Sequence, residues 1–135
     1  VICRTFRAAW RQAQPCIIPA TAIYEPDWRY GRAIPTRINR RDGEPMSLAG
    51  LRERWTSPTG EVVHSYTMLT INADDHPLMR DYHRTGAEKR MVVILPHGLI
   101  HDWLATPASA SMEFMRQYPA ERLYAEPWYP EVGSD

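Results

Sequence analysis

The run Cys16-Ile17-Ile18-Pro19-Ala20-Thr21-Ala22-Ile23-Tyr24-Glu25-Pro26 decides how this chain is read. Its β-branched and aromatic residues predict a strand. Alternate positions of a strand share a face, so Glu25 shares one with Ile17 and Ile23 if the strand runs that far. A carboxylate among isoleucines must be paired, hydrogen-bonded or protonated. Burial lifts its pKa toward the range in which it can give and take protons near neutrality. The alternative is a strand that ends at Tyr24, with Glu25 turning into solvent ahead of Pro26. Residue pattern alone leaves both open.

Around this run the chain is 135 residues long, the size of one domain. Sixteen basic residues balance sixteen acidic ones, which argues against a protein that is basic all over. The basic residues are nearly all arginine, Lys89 being the one lysine. Arginine suits bidentate phosphate contacts and stacking on bases, although a GC-rich genome produces the same bias. No apolar run reaches the length of a membrane span, and no signal peptide is visible at Val1. Val1 is not an initiator methionine, so the native start is expected upstream. Cys3 and Cys16 make no close-spaced metal pair, and the chain reads as a reduced cytoplasmic protein with free thiols.

The hydrophobic pattern predicts an amphipathic helix over residues 2–13, with Ile2, Phe6, Ala9, Trp10 and Ala13 on its apolar face. Pro15 stops it, and the strand with Glu25 follows. Residues 27–32 read as a turn. Strands are expected near 33–39 and 46–52, either side of Arg41-Asp42-Gly43. Residues 62–71 read as a central strand and 91–95 as a buried one. Short helices are expected from Pro77 to about Tyr82 and over 98–105, the latter with Ile100, Trp103 and Leu104 inward. Another is expected over 109–117, capped by Ser109 or Ser111. Residues 123–125 suggest a last strand. Mostly sequential strands with irregularly placed helices make the expected class α+β.

Several groups could carry chemistry. His83, in Asp81-Tyr82-His83-Arg84, could act as a general base or orient a substrate hydroxyl, or be an ordinary loop histidine. His97 and His101 have the spacing of a metal pair, but no third ligand completes a known motif. Asp74 and Asp75 beside His76 are equally consistent with an acidic turn. His64 and His76 carry no pattern. Cys16 reads as core, and Cys3 lies near the positive end of a helix dipole. No phosphate-binding glycine loop and no nucleophile elbow is present. Trp28, Trp55, Trp103 and Trp128 are candidates for stacking on bases, and Trp10 is assigned to core. No cofactor and no metal is expected.

Taken in order, Cys16-Ile-Ile-Pro-Ala-x-Ala-Ile-Tyr24-Glu25, Ala49-Gly50-Leu51, Tyr66-Thr-Met-Leu-Thr70-Ile-Asn-Ala, His83 and Arg90-Met91-Val-Val-Ile-Leu-Pro96 are more specific than any one of them. The series resembles the SRAP family, the SOS-response-associated peptidases, closely through about Pro96 and more loosely to about Tyr129. The resemblance implies one compact α+β domain with a curved, barrel-like, mostly antiparallel sheet and peripheral helices. It implies a protein that binds single-stranded DNA and captures abasic sites. The family's nucleophile is a cysteine made N-terminal by self-removal of the initiator methionine. Its amine and thiol close a thiazolidine on the sugar aldehyde, leaving a covalent DNA–protein crosslink. Glu25 then matches the active-site glutamate and His83 a histidine that contacts the opened sugar. Arg90 and Arg4 match DNA-contacting arginines, and Thr70 matches a threonine lining the site.

The chain departs from the family pattern in places. The opening Met-Cys-Gly and the Asn-Ala-Arg block are absent, so residues 1–135 are expected to be the C-terminal greater part of the domain, inactive without the nucleophile. Pro26 stands where many members carry tryptophan, and the loop from Arg84 to Lys89 is longer than usual. The expected partner is single-stranded DNA with abasic sites, bound by a monomer in a bacterial cytoplasm and at the nucleoid, with no membrane. A non-covalent single-stranded DNA binding module and a cysteine peptidase acting on other proteins are the alternative functions.

Overall fold

The opening run makes two strands. In the computed structural model, which describes residues 13–84 and 86–129, β1 (Gln14–Ala20) and β2 (Ile23–Asp27) are separated at Thr21 and Ala22 and join different sheets. Glu25 therefore does not share a face with Ile17. It does lie within a strand, since β2 continues through Pro26 to Asp27. The expected helix over residues 2–13 and Trp10 fall outside the described residues.

The remaining elements are β3 (Ile34–Arg40), β4 (Met46–Thr56), β5 (Val62–Met68), β6 (Thr70–Asn72), β7 (Arg90–Val92), helix α1 (Ile100–Ala105) and β8 (Leu123–Pro127), with short 3-10 turns between them. Mixed short strands and a little helix make the chain α+β, as expected. The strands fall into three sheets, ordered β1-β4-β5, β2-β3-β8 and β6-β7. The chain divides into two compact units.

The first unit comprises Val1–Pro19, Ser47–Ile71 and Val92–Tyr118. Its core holds Ala49, Leu51, Leu69, Val93, Leu95 and Trp103, with Ile17, Ile71, Ile100 and Phe114 packed against them. Trp103, read from sequence as a stacking candidate, is fully buried. Its indole Nε1 donates to the Cys16 carbonyl at 3.0 Å, and its ring meets Phe114 edge-on at 5.4 Å. Leu104, expected inward, is 48% exposed, because a helix of six residues can turn only one side to the core. The helix expected over 109–117 is a 3-10 turn, Ala108–Phe114, without a side-chain cap. Ser111 lies buried inside it and donates to the Ala108 carbonyl at 2.7 Å.

The β-rich run 62–71, expected as one central strand, breaks at Leu69. Leu69 N donates to the Ala49 carbonyl, Val93 N to the Leu69 carbonyl and Ala49 N to the Val93 carbonyl, at 2.9–3.1 Å. This ring of three bonds satisfies buried backbone groups at the expense of a continuous ladder. The first half of the run, β5, is the edge of its sheet and is exposed throughout. β propensity reports a residue's fit to a pleated surface, not how many neighbours the strand will have.

β1 passes close over the middle of β4. A Cβ on Gly50 would lie 2.7 Å from Ile18 Cδ1, 3.0 Å from Cys16 Sγ and 3.0 Å from the Thr67 carbonyl oxygen. The two side-chain ends can shift, but the paired backbone of β5 cannot easily do so. Gly50→Ala is expected to destabilise the protein by about 1–3 kcal/mol, the usual cost of overpacking, measured as a lower urea midpoint with an unchanged m-value.

The second unit comprises Ala20–Met46, Asn72–Met91 and Pro119–Asp135. Its sheet is antiparallel, with Glu25 opposite Thr36 and Thr36 opposite Pro127. Ile38, Met79, Tyr82 and Leu123 are buried in it. The turn after β3 forms as the sequence suggests. Gly43 takes a positive φ of 77°, its N–H bonds to the Arg40 carbonyl at 3.0 Å, and Asp42 accepts from Glu44 N at 3.0 Å.

Candidate functional site

Strand alternation in β2 puts Ile23, Glu25 and Asp27 on one face and Tyr24 and Pro26 on the other. Glu25 is half-buried and its carboxylate has no hydrogen-bond partner among the described residues. Burial raises its pKa above the usual glutamate value, and the neighbouring charge of His83 pulls it partway back. Two residues along, the buried carboxylate of Asp27 is treated differently. Arg29 Nε lies 3.1 Å from both of its oxygens, Arg29 Nη2 is 2.7 Å from Oδ2 and Arg29 N is 2.9 Å from Oδ1. The bonds from the Arg29 side chain hold Asp27 below the ordinary aspartate range despite its burial. One strand thus carries two carboxylates on one face with opposite shifts, the arrangement by which environments separate an acid from a permanently charged group.

His83 closes the 3-10 turn Met79–Tyr82 in an extended conformation. Its Nε2 bonds to the Arg90 carbonyl. A carbonyl can only accept, so Nε2 is the donor in this bond. Trp28 N donates to the Asp81 carbonyl at 3.2 Å and so ties the turn to the end of β2. Arg84 lies over the Trp28 ring at 5.8 Å. The guanidinium of Arg90 is partly exposed and meets Glu88 at 3.0 Å.

The second unit thus assembles Glu25, His83 and Arg90. Thr70 lies in the first unit, exposed on β6. Arg4 lies outside the described residues. Sequence reasoning read residues 27–32 as a turn and so missed Asp27 and Arg29; the signal available was their spacing along the face of Glu25. The Tyr24 and Trp128 rings approach to 4.9 Å and border an open pocket of about 270 Å³ that Glu25, Pro26, Ala33, Pro35 and Thr36 also line. Trp128 keeps an exposed ring, as a stacking candidate must, and Trp55 does so in the first unit. Among the described residues no cluster of three or more metal-ligating side chains occurs, and no helix is long and apolar enough to cross a membrane.

Comparison with known proteins gives the chain its relatives. The family described as SOS response associated peptidase (SRAP) matches residues 3–135. The chain is 32% identical over 104 residues to the abasic site processing protein YoaM of Bacillus subtilis, an alignment that spans 75% of this chain and 41% of YoaM. Identity is also 32% to the abasic site processing protein YoqW of Bacillus phage SPbeta, over 42% of its length. This chain therefore spans about two-fifths of the length of these relatives. A crystal structure from Bordetella bronchiseptica superposes with a TM-score of 0.87 at 60% identity, covering 93% of this chain and 59% of that one. One from Bacteroides thetaiotaomicron gives 0.77 at 23% identity, over 96% and 55%, which shows a shared fold.

The two carboxylates should separate in a stability titration. A raised glutamate pKa means stability that is present below the unfolded value and lost as pH rises through the folded one. Glu25→Gln is therefore expected to melt at a higher temperature than the parent at neutral pH, with the difference vanishing on acidification. The lowered pKa of Asp27 has the reverse sign. Asp27→Asn should cost about 2 kcal/mol at neutral pH, the scale of charge-assisted bonds to a buried group, and the gap should close as pH falls through the depressed aspartate value.

Proposed function

The chain belongs to the SRAP family, and from that premise we propose that it is part of a protein that captures abasic sites in single-stranded DNA. The observation that carries the proposal is the Glu25–His83 arrangement: a half-buried carboxylate with a raised pKa beside an imidazole whose Nε2 is held by a backbone carbonyl. That the Bacillus relatives are named abasic site processing proteins supports the abasic-site part of this reading.

In this reading a preceding segment of the native protein supplies an N-terminal cysteine after self-removal of the initiator methionine. The α-amine attacks the aldehyde carbon of the opened sugar and gives a carbinolamine. Glu25 gives a proton to the departing hydroxyl, and water leaves as the Schiff base forms. The thiol then loses its proton to the Glu25 carboxylate and its sulfur adds to the iminium carbon, closing the thiazolidine; one water is released overall. A carboxyl group with an upward-shifted pKa can both donate and recover the proton near neutrality. His83 contacts the sugar hydroxyl through Nδ1. Arg90, near the surface, contacts phosphate.

The full-length protein is expected to form a covalent adduct with an abasic oligonucleotide, resolved by denaturing electrophoresis and mass spectrometry. Glu25→Gln should slow adduct formation by about 10²-fold, the usual contribution of a general acid–base group. Absence of an adduct, together with no effect of Glu25→Gln, would overturn the mechanism. Arg90→Ala retains the carbonyl that orients His83, so its effect should fall on binding. Affinity for single-stranded DNA should drop and the slope of log K against log salt should shrink by about 0.7, one phosphate contact's worth.

A further inference from the structure

His76 carries no pattern in the sequence, yet it is 1% exposed and its ring does specific work. Nδ1 accepts hydrogen bonds from Leu78 N at 3.2 Å and Met79 N at 3.0 Å. These N–H groups open the 3-10 turn Met79–Tyr82, and donors at the start of a helical turn have no partner within it. The acceptor there is most often an oxygen of Ser, Thr, Asp or Asn. Here Leu78, at the capping position, supplies no side-chain bond, Pro77 has no N–H, and an imidazole nitrogen takes over. Accepting through Nδ1 puts the proton of the neutral ring on Nε2.

The backbone of His76 is anchored as well. Its N–H donates to the Ala73 carbonyl at 3.1 Å, and its carbonyl accepts from Arg80 N at 3.3 Å. Ala73 N donates to the Lys89 carbonyl at 2.8 Å, next to Arg90. The far end of the turn is held by the bond from Trp28 N to the Asp81 carbonyl, and His83 follows directly. One end of the turn is fixed by the buried ring, the other by the strand that carries Glu25.

We infer that His76 is a positioning residue: its imidazole caps the turn and thereby fixes where His83 is held with respect to Glu25. The inference rests on the proposed reaction for its consequence and on the hydrogen bonds for its cause. Loss of the cap frees two donors, the buried Met79 N and the part-buried Leu78 N, and lets the turn shift, and displacement of a catalytic group by about 1 Å can cost about 10²-fold in rate.

The test compares His76→Asn, His76→Leu and His76→Ala in the full-length protein. Leucine approximates the ring in bulk and has no acceptor. Asparagine is smaller, but its Oδ1 can accept from N–H groups two and three residues on. A space-filling role ranks leucine above asparagine; a capping role ranks asparagine above leucine. At saturating abasic DNA the adduct-forming rate is expected to stay within about threefold of the parent in His76→Asn and to fall about tenfold or more in the leucine and alanine variants. Leucine equal to or better than asparagine overturns the inference. If the leucine variant does not fold, asparagine no faster than alanine overturns it equally. Amide hydrogen exchange at Leu78 and Met79, measured without DNA, should speed up in the leucine or alanine variant and not in asparagine. Unchanged exchange in all variants removes the cap. A parent protein that forms no adduct sinks the proposed function, and the exchange data then decide the cap on their own.

Discussion

Leu69, Val93 and Ala49 are buried, and a backbone N–H taken out of water must bond to something. In the first unit the three residues bond in a ring, Leu69 to Ala49, Val93 to Leu69, Ala49 to Val93. That requirement ends β5 at Met68, starts β6 at Thr70 and stops β7 at Val92. The same requirement explains the ties of the second unit: Arg29 wrapped on Asp27, the imidazole of His76 on two amide donors, the Asp81 carbonyl on Trp28 N. Satisfying polar groups removed from water shapes this chain as much as its apolar packing does.

Glu25 stands out against that background. Its neighbour Asp27 has a dedicated arginine; Glu25 has only partial burial and the charge of His83. A site that fully satisfied Glu25 would make it a permanent carboxylate, useful for structure and poor for moving protons. Leaving it under-satisfied costs stability and keeps its proton exchangeable. One strand face thus carries a well-held carboxylate and a poorly held one.

The arrangement around His83 shows how position is enforced for a side chain at the end of a short turn. A single 3-10 turn has little cohesion of its own. The His76 ring holds the start of the turn, Trp28 N meets it near its end, and the Arg90 carbonyl holds the His83 ring. Arg90 thus touches His83 through its backbone, a contact invisible to residue type.

Local chemistry made much of this legible. The α+β class, the turn at Gly43 and the strand character of the run through Glu25 follow from side-chain branching, apolar spacing and turn residues, which act within a few positions. The ordered motifs carried Glu25, His83 and Arg90 into one unit. Long-range partners decided the rest. The run from Cys16 to Glu25 is divided because its halves pair with β4 and with β3, strands that no local pattern selects. Trp103 is core and Leu104 exposed because of what packs on α1. Asp27 was hidden by its resemblance to a turn residue, and His76 by having no pattern at all. The sequence determined which residues could do chemistry, since that is a property of side chains. Tertiary structure decided which are desolvated, paired or aimed, because those depend on neighbours far away in the chain.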